Sequence, residues 1–271
     1  MKTLREAAND YLQLRRGIGF KMVRYESRLR VLLSFMSKHR ATTITTQLAL
    51  QFATHDPRLT PRTMSMRLSI ARGFARYRVV EDPATEIPAC ALLPATSKPA
   101  QPYLYSKEEI VRLLRAARGY PSSKQAPRHW QHCRSRLWYC FFALLAVTGM
   151  RVGEVRHLRD GDIDWQAGVL TIRQAKFGKS RLVPLHRSMV RTLRTYLRHR
   201  DQHCAQGRLP IAPQRTFITR RGTEIGSSTV NAVFLNISRQ IGLRESTQRH
   251  GPRLHDLRHR YFRRFGGLRF G

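Results

Sequence analysis

Acidic residues are scarce in this chain. Against 50 Lys and Arg there are 17 Asp and Glu, which leaves a formal charge of +33 on 271 residues. Lysine is scarce as well, since 42 of the 50 basic residues are arginine and only 8 are lysine. Cysteine occurs four times, at Cys90, Cys133, Cys140 and Cys204, with irregular spacing that excludes a disulfide framework. Long apolar runs are missing too. The longest, Leu137 to Val147, has 11 residues, too few to cross a bilayer. The opening MKTLREAAND is polar and helical in character, which is not the pattern of a secretory leader. Together these absences predict a soluble, reduced, intracellular protein with no membrane partner, cytoplasmic and associated with the nucleoid.

What is present points the same way. A protein this basic repels itself unless a polyanion neutralises it, and arginine makes planar, bidentate contacts to phosphate where lysine acts as a mobile point charge. Nucleic acid is therefore the leading partner, with a merely basic composition and no particular partner as the alternative. Hydrophobic residues make up 41% of the chain, enough to build real cores.

The first part of the chain reads as helices. Tyr25, Leu29, Leu32, Leu33 and Met36 recur at helical spacing. A further helix starts at Thr60-Pro61, with Thr as N-cap and Pro in the first turn. Its apolar positions Met64, Leu68, Ala71 and Ala75 alternate with Arg62, Arg67, Arg72, Arg76 and Arg78. That predicts one core face and one outward arginine face, and Arg62, Arg67, Arg72 and Arg76 are the candidate DNA contacts. Five prolines between Pro83 and Pro102 read as an extended linker. The expected organisation is a helical domain over 1–82, a linker over 83–102 and a second domain over 103–271. The second opens with the capping box Ser106-Lys107-Glu108-Glu109. It continues with a buried helix over Leu137 to Val147 and a hairpin formed by Val169–Ile172 and Leu182–Leu185.

Three local patterns carry chemistry. In Thr148-Gly149-Met150-Arg151-Val152-Gly153-Glu154 a glycine ends the buried helix, and Glu154 falls three residues after Arg151, within reach of its guanidinium. The same spacing also describes an ordinary Arg–Glu helix pair. In His255-Asp256-Leu257-Arg258-His259 a helix would bring His255 and Arg258 to one face, an imidazole to move protons beside a guanidinium to hold charge. A basic helix touching a DNA backbone without catalysis fits that pattern equally. Lys176 lies in the hairpin turn, where a lysine can reach into a groove or simply be solvated. Three decoys fall away. Gly178-Lys179-Ser180 lacks the first glycine of a phosphate loop and precedes a strand. Asp160, Asp162 and Asp164 lack the glycine and bidentate glutamate of a calcium loop. His129, His132, Cys133 and Cys140, like His199, His203 and Cys204, lack paired zinc-ligand spacing. No metal and no cofactor is expected.

In this order, TGMRVGE, GDIDW, a lysine-bearing hairpin ending in RLVPL, and HDLRH resemble the tyrosine recombinase, or phage integrase, family over essentially the whole chain to Arg264. The resemblance implies a mainly α fold with a small β-sheet: a helical SAM-like core-binding domain, then an α+β catalytic domain incomplete at its C-terminus. It implies a C-shaped clamp around double-stranded DNA and DNA recombination or integration by phosphoryl transfer through a DNA–phosphotyrosine link; a homo-oligomer on DNA and a single chain are both left open. Arg151 and Arg258 would clamp the scissile phosphate, Lys176 would protonate the leaving oxygen, His255 would assist proton transfer and Glu154 would support Arg151. The family's nucleophilic tyrosine has no evident counterpart, because Tyr261 follows Arg258 by only three residues and reads as a packing aromatic. A DNA-binding family member that does not cleave alone is the expectation. Its rivals are an active recombinase using Tyr261 or another subunit's tyrosine, and a non-enzymatic basic nucleic-acid-binding protein.

Overall fold

A computed structural model describes residues 2–93, 101–120, 126–173, 180–207, 209, 215–245 and 251–265, with 262–265 described for backbone only. The chain divides into two compact units, Met1–Ala100 and Gln101–Gly271.

The first unit holds α1 (Leu4–Gly17), α2 (Val23–Lys38), α3 (Thr46–Thr54) and α4 (Pro61–Arg78). Thr3 and Glu6 close a capping box at the start of α1, and the Thr60 hydroxyl accepts the Thr63 amide at the start of α4. Leu29, Leu32 and Met36 of α2 pack with Phe52 of α3 and Leu68, Ala71 and Phe74 of α4 in one core. Two features differ from the sequence reading. Arg78 does not join the outward arginine face. It lies four residues after Phe74 and seven after Ala71, on the core face of the helix, and it is fully buried. Its guanidinium donates to the Lys2 carbonyl (2.7 Å) and Glu81 (3.1 Å), with Asp82 3.7 Å away. The stretch after α4 is also not free chain over its first half. Thr85 and Pro88 are buried, the Glu86 amide donates to the Ile44 carbonyl, and Arg72 donates to the carbonyls of Pro88 (2.7 Å) and Ala89 (2.5 Å).

The second unit is built on α6 (Arg128–Thr148), with α5 (Lys107–Arg118), α7 (Val152–Arg156), α8 (Arg187–Gln206), α9 (Ser227–Gln240) and α10 (Asp256–Phe265). Helix α6 starts nine residues before the apolar run. Trp130, Cys133, Leu137, Cys140 and Phe141 already keep one buried face through a polar-looking stretch. The hairpin strands are β2 (Val169–Ile172) and β3 (Arg181–Pro184), antiparallel, with Leu170 opposite Val183. A short strand, β1 (Ile163–Asp164), extends this to a three-stranded antiparallel sheet in the order β1-β2-β3. The fold is mainly helical with one small sheet. Among the described residues, no helix is long and apolar enough to cross a membrane.

Candidate functional site

The site forms where the buried helix stops. The Thr148 hydroxyl donates to the Leu144 carbonyl and accepts the Met150 amide, and Gly149 turns the chain at φ +61°. That left-handed conformation suits glycine. Arg151 then stands in extended backbone as the cap residue of α7, with Glu154 in the first turn. The Glu154 carboxylate accepts the Arg151 amide (2.7 Å) and its guanidinium (2.9 Å).

A third residue completes the pair, and the sequence reading missed it. Arg181, at the start of β3, donates both arms of its fork to Glu154, at 3.0 and 2.7 Å. Glu154 is thus nearly buried between two half-exposed guanidiniums. Burial alone would raise its carboxyl, but Arg181 and then Arg151 outweigh it and hold the pKa at about 2. Stability follows from this difference. A carboxyl near 4.5 when unfolded and about 2 when folded contributes stability that is complete above 4.5 and is lost as pH falls towards 2. With both arginines partly in solvent, about 2 kcal/mol is a reasonable size. Urea melts of wild type and Glu154→Gln should therefore differ at pH 5.5, draw together below pH 4.5 and converge only as the pH reaches about 2. A constant difference across that range would contradict the assignment.

Helix α10 brings the second arginine. Its first turn is held by Asp256, almost fully buried, which accepts the Arg253 amide at 2.9 Å. Tyr105 donates to the Arg253 carbonyl (3.0 Å), and Arg260 donates to the Ser106 carbonyl, so α10 is tied to the start of α5. Arg258 donates to the Gly149 carbonyl at 2.6 Å, which places it at the same helix end as Arg151. Burial, then the nearby Arg151 and Arg181 charges, pull the Arg258 pKa below its ordinary value, while Glu154 opposes the shift. Two guanidiniums, Arg151 and Arg181, therefore hold one carboxylate, and a third, Arg258, stands within their electrostatic reach. Guanidinium forks gathered at one helix end, partly desolvated, are donors suited to a phosphate.

The remaining candidates fall as follows. His255 lies in the turn just ahead of α10 rather than within it, exposed, with its ring 5.2 Å from that of His259. Partial burial, His259 and Arg258 hold its imidazole below the usual value, so it is neutral at pH 7 and able to take a proton. Tyr261 is packed over Gly149: a Cβ added there would lie 2.5 Å from the Tyr261 Cδ1. Lys176 lies outside the described residues. In the first unit Arg62 and Arg76 are exposed, whereas Arg67 stacks over Phe52 and donates to its carbonyl and Arg72 secures the chain after α4. Among the described residues, no three His, Cys, Asp or Glu side chains converge to hold a metal. The decoy histidines pack in pairs between α6 and α8, His129 with His203 and His132 with His199.

Comparison with known proteins agrees with the fold. The phage integrase family profile matches residues 105–264. A protein of Sinorhizobium fredii (strain NBRC 101917 / NGR234) named as an integrase/recombinase, y4rB, is 46% identical over 261 residues, covering 96% of this chain and 80% of its own. Tyrosine recombinase XerC of Chlamydia trachomatis serovar L2 is 27% identical over 200 residues, covering 74% of this chain and 58% of its own. Among solved structures, a lambda integrase tetramer bound to a Holliday junction superposes with a TM-score of 0.64 at 19% identity, covering 98% of this chain and 73% of that one. The Tn1549 transposon integrase in complex with transposon right end DNA gives 0.64 at 14% identity, covering 98% and 87%.

Proposed function

The chain belongs to the phage integrase family of tyrosine recombinases, and on that premise we propose that it binds duplex DNA for site-specific recombination and grips a backbone phosphate between Arg151 and Arg258. The observation that carries this reading is the pair Arg151 and Arg181 fixed on Glu154 at the end of α6, with Arg258 brought to the same helix end by the Gly149 carbonyl. Glu154 and Arg181 position Arg151, and Arg258 is steered by the Gly149 carbonyl. Charge that develops on a phosphorane-like transition state would meet donors that are already fixed, so little reorganisation is needed. His255 is the proton-transfer group and Lys176 the acid for the leaving oxygen. Arg62 and Arg76 hold the backbone from the first unit, while Arg67 and Arg72 work inside it. The DNA-bound and tetrameric integrases among the neighbours support duplex DNA as the partner and a homo-oligomer as the working form.

Tyr261 does not serve as nucleophile on this reading, because its ring is packed over Gly149. Arg151 and Arg258 grip the phosphate whichever tyrosine attacks it. Two measurements test this. Binding to duplex should weaken steeply with salt, with log K falling by about 0.9 per phosphate contact for each decade of salt. An affinity that hardly moves between low and moderate salt contradicts the proposal. On nicked duplex, no covalent adduct through Tyr261 is expected; an adduct lost on Tyr261→Phe would return the nucleophile role to that residue.

A further inference from the structure

A second concentration of arginine lies outside the site. Of the chain's surplus charge, +23 belongs to residues 101–271. Helix α8 carries Arg187, Arg191, Arg194 and Arg198, at i, i+4, i+7 and i+11, so the four form one narrow stripe. All four are exposed, and they point away from the face that buries Met189, Leu193, Tyr196 and Leu197. All 17 Asp and Glu of the chain lie among the described residues, and none is in ion-pair contact with these four. The one acid on α8, Asp201, is taken by Arg200 at 2.7 Å.

Such a stripe works against its own helix. Like charges at i and i+4 weaken a helix, and an arginine in the first turn opposes the helix dipole. A merely solvated face would alternate sign. Here Ser188, Thr192 and Thr195 stand where glutamates could relieve the repulsion. One arginine is also pre-placed: Arg194 lies over the Trp165 ring at 5.3 Å and donates to the Trp165 carbonyl at 3.4 Å.

The stripe runs away from the Arg151 cluster, from an Arg187 end level with about Leu144 to an Arg198 end far from Gly149. Helices α6 and α8 run antiparallel, since His129 meets His203 and His132 meets His199. The Arg198 end therefore lies beside the start of α6. His132 is 17 residues before Gly149 along that helix, about 25 Å away at 1.5 Å per residue.

We propose that the outward face of α8 is a second surface for the phosphate backbone of duplex DNA, able to hold a segment other than the one gripped by Arg151 and Arg258. Eleven residues separate Arg187 from Arg198, roughly 16 Å of helix, comparable to five base-pair rises. Guanidinium forks at that spacing suit phosphates better than ammonium groups would. The choice of duplex as the polyanion rests on the proposed function above; the existence of the surface rests on the charge distribution alone.

The test titrates a short duplex against the full chain at low salt and reads duplexes bound per chain. Wild type should take two and the Arg187→Gln, Arg191→Gln, Arg194→Gln, Arg198→Gln variant one, while the matching Arg→Lys variant keeps most of the second event. Because the stripe is repulsive, the Gln variant should melt at or above the wild-type temperature without DNA, which separates a lost surface from a lost fold. One duplex per chain in wild type, or two in the Gln variant, overturns the inference and leaves the proposed function standing. Failure of wild type to bind any duplex overturns the proposed function and, with it, duplex as the ligand here. A poly-glutamate peptide or single-stranded RNA that fills the second surface in preference to duplex overturns the choice of partner.

Discussion

Replacing Gly149 by alanine should destabilise the second unit by about 3–4 kcal/mol. Two independent costs meet at this position. A residue with a Cβ held at φ +61° gives up roughly 1–2 kcal/mol relative to glycine. The new methyl would also sit 2.5 Å from Tyr261 Cδ1 and 2.9 Å from Cγ, so the ring and with it α10 must shift, at a further cost of about 1–3 kcal/mol. For a unit of this size, each kcal/mol lowers the melting temperature by about 2–4 °C. A fall on the order of 10 °C is thus expected. Tyr261→Ala in the Gly149→Ala background should recover part of the loss by opening the space, while the backbone share remains. A melt unchanged by Gly149→Ala would contradict the close approach of α10 to the end of α6. Because that approach also places Arg258, the same substitution should weaken duplex binding beyond what the lower stability explains.

The second large effect concerns binding. Arg151→Gln with Arg258→Gln removes two charge-assisted contacts, each worth about 1.5–3 kcal/mol. Against a background of many other arginines, duplex affinity should fall roughly a hundredfold at moderate salt. The slope of log K on log salt should become shallower by about 1.8, from two counterions no longer released. Arg62→Gln with Arg76→Gln, in the other unit, should give a comparable change in slope without touching the Arg151 cluster. Arg181→Gln separates position from charge. It leaves Arg151 and Arg258 in the chain but frees Glu154, so its effect on affinity should exceed that of removing an arginine from an open helix face. Double substitutions at Arg151 and Arg258 that leave both affinity and slope unchanged would mean that the phosphate is held elsewhere.

Much of this architecture could be read from local pattern. Thr60-Pro61 marks the start of α4, the Ser106 box marks α5, and alternation marks β2 and β3, because each signal acts within a turn or two. Arg151 and Glu154 were legible for the same reason: the N-terminal turn of α7 brings them together at three residues' separation. What was hidden depends on contacts between distant segments. Arg181 is 27 residues from Glu154, and only the register of the sheet turns its fork onto that carboxylate. Arg78 reads as one more surface arginine until the Lys2 carbonyl and Glu81 are seen to enclose it. The first turns of α6 look polar by composition, yet one face is apolar because tryptophan and cysteine supply it between arginines and histidines. The segment after α4 carries the prolines of a linker, but Arg72 supplies backbone hydrogen bonds that no composition rule anticipates.

The measurement that tests the central claim most directly is a structure of the chain on duplex DNA. One backbone phosphate should lie within hydrogen-bond distance, about 2.7–2.9 Å, of both the Arg151 and Arg258 guanidiniums, with Glu154 still bridging Arg151 and Arg181. A complex in which the duplex is bound while Arg151 and Arg258 face solvent, with no phosphate between them, would contradict it.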